Sequence, residues 1–124
     1  MKKILVILII FFGSIQNINA EVKRIISGNK NAKISILAYE SLTCSHCADF
    51  HIDVYPQLKK EYIDTGLANI EFRHFPLDMA ALNASKIAQC NQDQSLEILG
   101  ILYSNQQSWV KGNTVEEINK NLKK

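Results

Sequence analysis

Apolar positions along this chain change their period twice. Val22 to Ile26 fits a short strand or extended lead-in, and Gly28-Asn29-Lys30-Asn31 is turn-like. Lys33 to Glu40 reads as a strand, with Ile34, Ile36 and Ala38 on one face and Leu37 and Tyr39 on the other. Apolar residues on both faces predict a buried parallel strand. From Cys44 to about Ile63 the period becomes helical, and Phe50, Val54 and Leu58 form an inward stripe. Pro56 lies inside that stretch; it removes one backbone donor and predicts a kink near Ile52. Gly66 is placed to end the helix, and Asn69 to Phe75 returns to strand, with Ile70 and Phe72 facing one way. Two strands joined by a helix predict a right-handed βαβ unit. The remainder is helical. Met79 to Cys90 spaces Ala80, Ala84, Ile87 and Ala88, and Ser95 to Tyr103 spaces Leu96, Leu99 and Leu102. Thr114-Val115-Glu116-Glu117 is a capping box that opens a last helix through Ile118 and Leu122.

The first twenty residues stand apart. Lys2 and Lys3 precede the unbroken apolar run Ile4 to Phe12, and Asn17-Ile18-Asn19-Ala20 ends on a small residue. The run is shorter than the ~20 apolar residues that span a bilayer. Residues 1–20 therefore read as an export signal, with an uncleaved anchor as the alternative. Two of the fourteen basic residues lie in that segment, which leaves twelve basic against twelve acidic from Glu21 onward. A balanced charge gives no footprint for nucleic acid or for an anionic membrane surface. The rest, 21–124, is one modest domain without repeats or low-complexity tracts.

The chemistry sits in Cys44-Ser45-His46-Cys47, directly after the first long strand and at the start of a helix. Unpaired N–H groups and the helix dipole stabilise a thiolate there, which makes Cys44 an available nucleophile and leaving group. A Cys-x-x-Cys beside a βαβ pattern points to reversible disulfide chemistry. Four other readings compete, and the plainest is a pair of buried structural thiols. A zinc site usually needs four ligands, and only Cys90 and His51 could join this pair. A soft-metal carrier would use Cys44, Cys47 and His46. Haem attachment needs His directly after the second Cys, where Ala48 stands. Outside the cytosol thiols can be oxidised, so an exported pair suits making or shuffling disulfides.

Several separated motifs then occur in order. Tyr39 to His51 with Tyr55-Pro56, Phe72 to Asp78, Ala88 to Asn91, and Leu102 to Gln106 with Trp109 together resemble the DsbA-like thiol:disulfide oxidoreductases. The likeness runs from about Val22 to Asn113. It implies an α/β, thioredoxin-like βαβ unit with an α-helical insertion at about 79–113. It also implies that Cys44 is the exposed nucleophile, that Cys47 is the buried resolving thiol, and that the two alternate between dithiol and disulfide. His46 falls at the family's tuning histidine, and Ser45 stands where members commonly carry Pro, so both are redox-tuning positions. By the same resemblance the chain needs no cofactor. Its partners are unfolded exported proteins as substrates and a quinone-linked membrane protein for reoxidation, and its place is periplasmic or secreted.

The family fold continues after the insertion with two strands and a helix, entered through a cis-proline turn. The only prolines here are Pro56 and Pro76, neither at that position. The expectation is that the C-terminal strand-strand-helix portion is missing. The strand Lys33 to Glu40 then has a bare edge, stability is marginal, and substrate oxidation is weak. The functional alternative is a catalytically weak remnant that serves as a binding module. Among the other side chains, Cys90 is expected on a helix packing face, and Trp109 in the core. His51 and His74 are expected as polar neighbours of sheet and helix, and Arg73 beside a carboxylate.

Overall fold

The computed structural model describes residues 22–124, so the export-signal reading of residues 1–20 lies outside the described residues. Among the described residues three strands form one sheet in the order β1-β3-β2. They are β1 (Ile25–Gly28), β2 (Ile34–Glu40) and β3 (Ala68–His74). β3 is central. It pairs antiparallel with β1 and parallel with β2, with Ile36 opposite Ile70 and Ala38 opposite Phe72. Ile70 and Phe72 are buried in the core. Removing such a side chain from water contributes about 2 kcal/mol each. The polar residues that alternate with them are buried as well and are partnered: Asn69 accepts from Ser35 Oγ at 2.8 Å, and Glu71 accepts from Arg73 Nε at 2.8 Å. The expected carboxylate for Arg73 is thus Glu71 itself.

β2 differs from the buried parallel strand that its sequence suggests. Its parallel pairing with β3 is as expected, yet Leu37 is 48% and Tyr39 60% exposed. The reason is position: β2 is the outer strand among the described residues, and no layer covers its Leu37–Tyr39 face. Gly28 closes β1 rather than opening a turn. Its φ is +98°, and a Cβ there would sit 2.6 Å from Ile63 Cγ2. Only glycine lets the strand pass that close to the helix end.

The segment between β2 and β3 is helical but not uniformly α. It runs as α1 (Ser45–Asp49), a π turn (Phe50–Val54), α2 (Tyr55–Leu58) and a second π turn (Lys59–Ile63). Pro56 has no N–H for the Ile52 carbonyl, and the predicted irregularity near Ile52 takes the form of a π turn closed by Tyr55 N–H onto Phe50 O. That turn adds a residue per loop and rotates the inward face. Val54, expected inside, is 52% exposed, and Tyr55 packs against the core in its place.

The rest is a helical layer: α3 (Met79–Cys90), α4 (Ser95–Ser104), α5 (Gln106–Trp109) and α6 (Val115–Leu122). Asp78 caps α3, its Oδ1 accepting from Ala81 N at 2.7 Å. Ala80, Ala81, Ala84 and Ala88 form the buried face of α3, small enough for close approach. Cys90 falls off that face and is exposed at the helix end, which corrects the packing role expected from its neighbours. Thr114 caps α6 as predicted, accepting from Glu117 N at 3.2 Å, while Glu117 reaches back to Asn113 N at 2.8 Å. Leu99, Leu102, Tyr103 and Trp109 join Leu42, Ile70 and Phe72 in one core, and Trp109 Nε1 donates to Leu102 O at 2.8 Å.

Candidate active site

The polypeptide leaves β2 at Glu40, turns through Ser41–Cys44 and enters α1. Cys44 N donates to Ser41 O at 3.0 Å, which closes the turn, and Cys44 itself is the N-cap, with φ −80° and ψ 119°. The extended backbone of a cap leaves its side chain beside the free N–H groups of the first helical turn. Cys44 and Cys47 are both free thiols and partly exposed.

The turn is held from two directions. Thr43 Oγ1 donates to Asp78 Oδ2 at 2.6 Å, and Ser41 Oγ lies 3.2 Å from Thr43 Oγ1 and accepts from Leu77 N at 3.3 Å. These contacts fasten it to the start of α3. Burial tends to raise the Asp78 carboxyl, but the hydrogen bonds from Thr43 and from the N–H groups of Ala81 and Ala80 outweigh it and hold it below its ordinary value. From the helical layer, Gln106 Nε2 donates to Leu42 O at 2.8 Å and to Cys44 O at 2.9 Å.

The two thiols meet different surroundings. Cys44 and Ser45 lie on the wall of an open groove of about 600 Å³, with Leu77, Ala80, Val110, Val115 and Ile118 among its apolar lining. Cys47 lies in a separate hollow of about 220 Å³, shared with Glu40, Phe50 and His46. Burial pushes the Cys47 thiol up to about 11. A backbone hydrogen bond at Ser41 works against this, and the Cys44 thiol and the Glu40 charge add to it.

Beside Cys47, His51 Nε2 lies 2.8 Å from Glu40 Oε2, and both side chains are almost fully enclosed. The His51 ring stacks on Tyr103, with centroids 4.1 Å apart, and Phe72 flanks it at 4.9 Å. Burial, with the nearby Glu40 charge second, drives the Tyr103 hydroxyl strongly upward, so it stays protonated.

The structure thus brings Cys44, Ser45, His46 and Cys47 together, and adds Glu40 and Gln106, which were not read as site residues, and His51, weighed only as a zinc ligand. His46 is 93% exposed, with Nδ1 at 3.5 Å from Asp49 Oδ2. Cys90 lies at the far end of α3, outside both hollows. Among the described residues no group of three or more His, Cys, Asp or Glu side chains is arranged to hold a metal ion. Glu40–His51 had a faint sequence signal, an acid ending a strand and a histidine two turns into the next helix. Gln106 had none in local pattern, since it acts across more than sixty residues.

Comparison with known proteins agrees with this architecture. The family described as Thioredoxin matches residues 20–124. A Rickettsia bellii protein that carries the provisional name of protein-disulfide oxidoreductase is 37% identical over 93 residues, covering 73% of this chain and 36% of its own length. The chain therefore spans about a third of that curated relative. Among solved structures, Wolbachia pipientis alpha-DsbA1 superposes with a TM-score of 0.67 at 30% identity, covering 80% of this chain and 59% of that one. A protein-disulfide isomerase from Novosphingobium aromaticivorans shares the fold, with a TM-score of 0.73 at 22% identity over 81% of this chain and 61% of that one. With its strand-turn-helix cysteine pair, its three-stranded thioredoxin-like sheet and its helical insertion, the chain belongs to the DsbA-like thiol:disulfide oxidoreductases.

Proposed function

We propose that this chain is an exported thiol:disulfide oxidoreductase that exchanges disulfides through Cys44 and Cys47. The observation that carries the reading is the unequal setting of the two thiols. Cys44 caps a helix and opens onto an apolar groove, whereas Cys47 is held protonated, up to about 11, in a small hollow. That inequality assigns an order of events. In the oxidising direction a substrate thiolate attacks Cys44 Sγ of the Cys44–Cys47 disulfide. A mixed disulfide forms at Cys44, and Cys47 leaves as a thiolate that takes up a proton. A second substrate thiolate then attacks the substrate sulfur of the mixed disulfide. The substrate gains a disulfide, Cys44 departs as thiolate, and two electrons have moved to the pair. The reverse sequence reduces or rearranges a disulfide with the same roles.

Ser45 and His46 are proposed as tuning positions, Ser45 from the groove wall and His46 from beside the Cys47 hollow. Residues 1–20 serve as the export signal, residues 21–124 as the redox domain, and the helices within about 79–113 as its insertion. The reaction needs no cofactor beyond the thiol pair. The substrates are unfolded exported proteins, and a quinone-linked membrane protein restores the disulfide, in the periplasm or outside the cell. Membership of the DsbA-like family supports these assignments.

The test is oxidation of a reduced model protein by the oxidised chain, followed by its regain of native structure. Stoichiometric transfer is expected from the natural chain, and none from Cys44→Ser. Transfer that persists in Cys44→Ser contradicts the assignment.

A further inference from the structure

Gln106 begins α5, in the helical layer, far in sequence from the cysteines. The residue is 6% exposed, and its carboxamide spends both hydrogens of one NH₂ group on the redox turn, at 2.8 Å to Leu42 O and 2.9 Å to Cys44 O. The two acceptors belong to the Leu42–Thr43 and Cys44–Ser45 peptide planes, so a single side chain fixes the backbone before Thr43 and after Cys44. Leu42 is fully buried, and its carbonyl has no backbone partner outside regular structure, so Gln106 supplies the donor it needs. The Cys44 carbonyl also accepts from Ala48 N at 3.2 Å as the first hydrogen bond of the helix.

We propose that Gln106 is a positioning residue for disulfide exchange: by holding the Leu42 and Cys44 carbonyls it keeps their negative ends turned away from Cys44 Sγ. The proposal rests on the reading of Cys44 and Cys47 as the exchanging pair. A carbonyl oxygen turned toward a thiolate opposes it, whereas N–H groups stabilise it. The fixed turn therefore stabilises the reduced, thiolate-bearing form over the disulfide. A stabilised reduced form is what makes a disulfide a strong oxidant. The helical layer thereby sets the oxidising strength of a pair that it does not itself contain. Glutamine is suited to this because it donates twice from one nitrogen. Leucine matches its bulk without donors, and an ionised glutamate has only acceptors.

The experiment compares the natural chain with Gln106→Leu, Gln106→Glu and Trp109→Phe. The last removes a hydrogen bond in the same layer without touching the turn. Two quantities are read: the equilibrium of the Cys44–Cys47 disulfide against glutathione, and the alkylation rate of Cys44 at mildly acid pH. Loss of two neutral hydrogen bonds should shift the Gln106→Leu equilibrium toward the disulfide by roughly tenfold and slow alkylation by a similar factor. Gln106→Glu should do the same at neutral pH and recover in part where its carboxyl is protonated, which keeps the proposal testable if the leucine variant does not fold. Trp109→Phe should stay near the natural values even where its unfolding midpoint falls. Natural values in both Gln106 variants, or equal shifts in all three, overturn the positioning role. Failure of the natural chain to form a Cys44–Cys47 disulfide overturns the functional reading and this proposal with it.

Discussion

His51 Nε2 and Glu40 Oε2 lie 2.8 Å apart with side chains only 5% and 4% exposed, so β2 and the π turn after α1 are joined through one enclosed polar contact. The other Glu40 oxygen has no hydrogen-bond partner, which leaves His51 as the group that satisfies this carboxylate. Removing one member of a buried polar pair costs more than the pair is worth, because the survivor is left desolvated. His51→Ala should lower unfolding stability by about 3 kcal/mol, and Glu40→Gln, which preserves an acceptor for His51, by about 1 kcal/mol. Urea unfolding of both variants and of the double variant measures the coupling. Additive losses would show that the two side chains do not act as a pair.

The Cys47 thiol gives a pH dependence whose sign follows from its setting. Burial, opposed by the Ser41 backbone and aided by Cys44 and Glu40, raises it from 9.0 to about 11 in the folded protein. The folded state thus keeps a proton that the unfolded state has released. This contribution to stability is complete below pH 9 and is lost as pH rises through about 11. The reduced chain should therefore lose stability faster across that window than Cys47→Ser. Unfolding midpoints of the two at pH 8, 9, 10 and 11 provide the comparison, and parallel curves would contradict the raised thiol.

Gly28 tests the contact between β1 and the end of the helical segment. Its φ of +98° and the 2.6 Å approach of a built Cβ to Ile63 Cγ2 leave no room for a side chain. Gly28→Ala should cost at least about 1 kcal/mol, since strain and overlap act together. Gly66→Ala meets no atom within 4 Å, although its φ is +80°, and should cost less. Thermal unfolding of the pair ranks them, and the reverse order would mean that conformation alone governs both sites.

Sequence pattern carried the strands and helices well where neighbours in sequence are also neighbours in space. Met79–Cys90 matches its predicted bounds, and Thr114 caps α6 as its spacing implies. The misreadings share one cause, which is dependence on distant or cumulative geometry. Val54 faces outward because a π turn rotates everything after it, and no local periodicity encodes the added residue. Leu37 and Tyr39 look like core residues, yet their exposure depends on which strand lies outermost. Cys90 shares a helix with a buried alanine face without being on it. Within the site, Cys44 and Cys47 were legible because four consecutive residues hold the motif. Gln106 was not, because its acceptors lie more than sixty positions away.

Asp78 links the redox turn to α3, accepting from Thr43 Oγ1 at 2.6 Å and from Ala81 N at 2.7 Å. Asp78→Ala should lower stability by about 1 kcal/mol through the lost cap, and Asp78→Asn by less. If the Thr43 contact also matters to exchange, Asp78→Ala should slow Cys44 alkylation, whereas Thr114→Ala, which uncaps α6, should not. Equal rates in the two variants would confine Asp78 to helix capping.

The measurement that bears most directly on the central claim is trapping. Cys47→Ser keeps the proposed nucleophile and removes the resolving thiol, so exchange should stop at the mixed disulfide. Incubated with oxidised glutathione or a cysteine-containing model substrate and mapped by peptide mass, this variant should carry the adduct on Cys44. Cys44→Ser should accumulate far less on Cys47. An adduct found chiefly on Cys90, or on Cys47 with Cys44 untouched, would contradict the account.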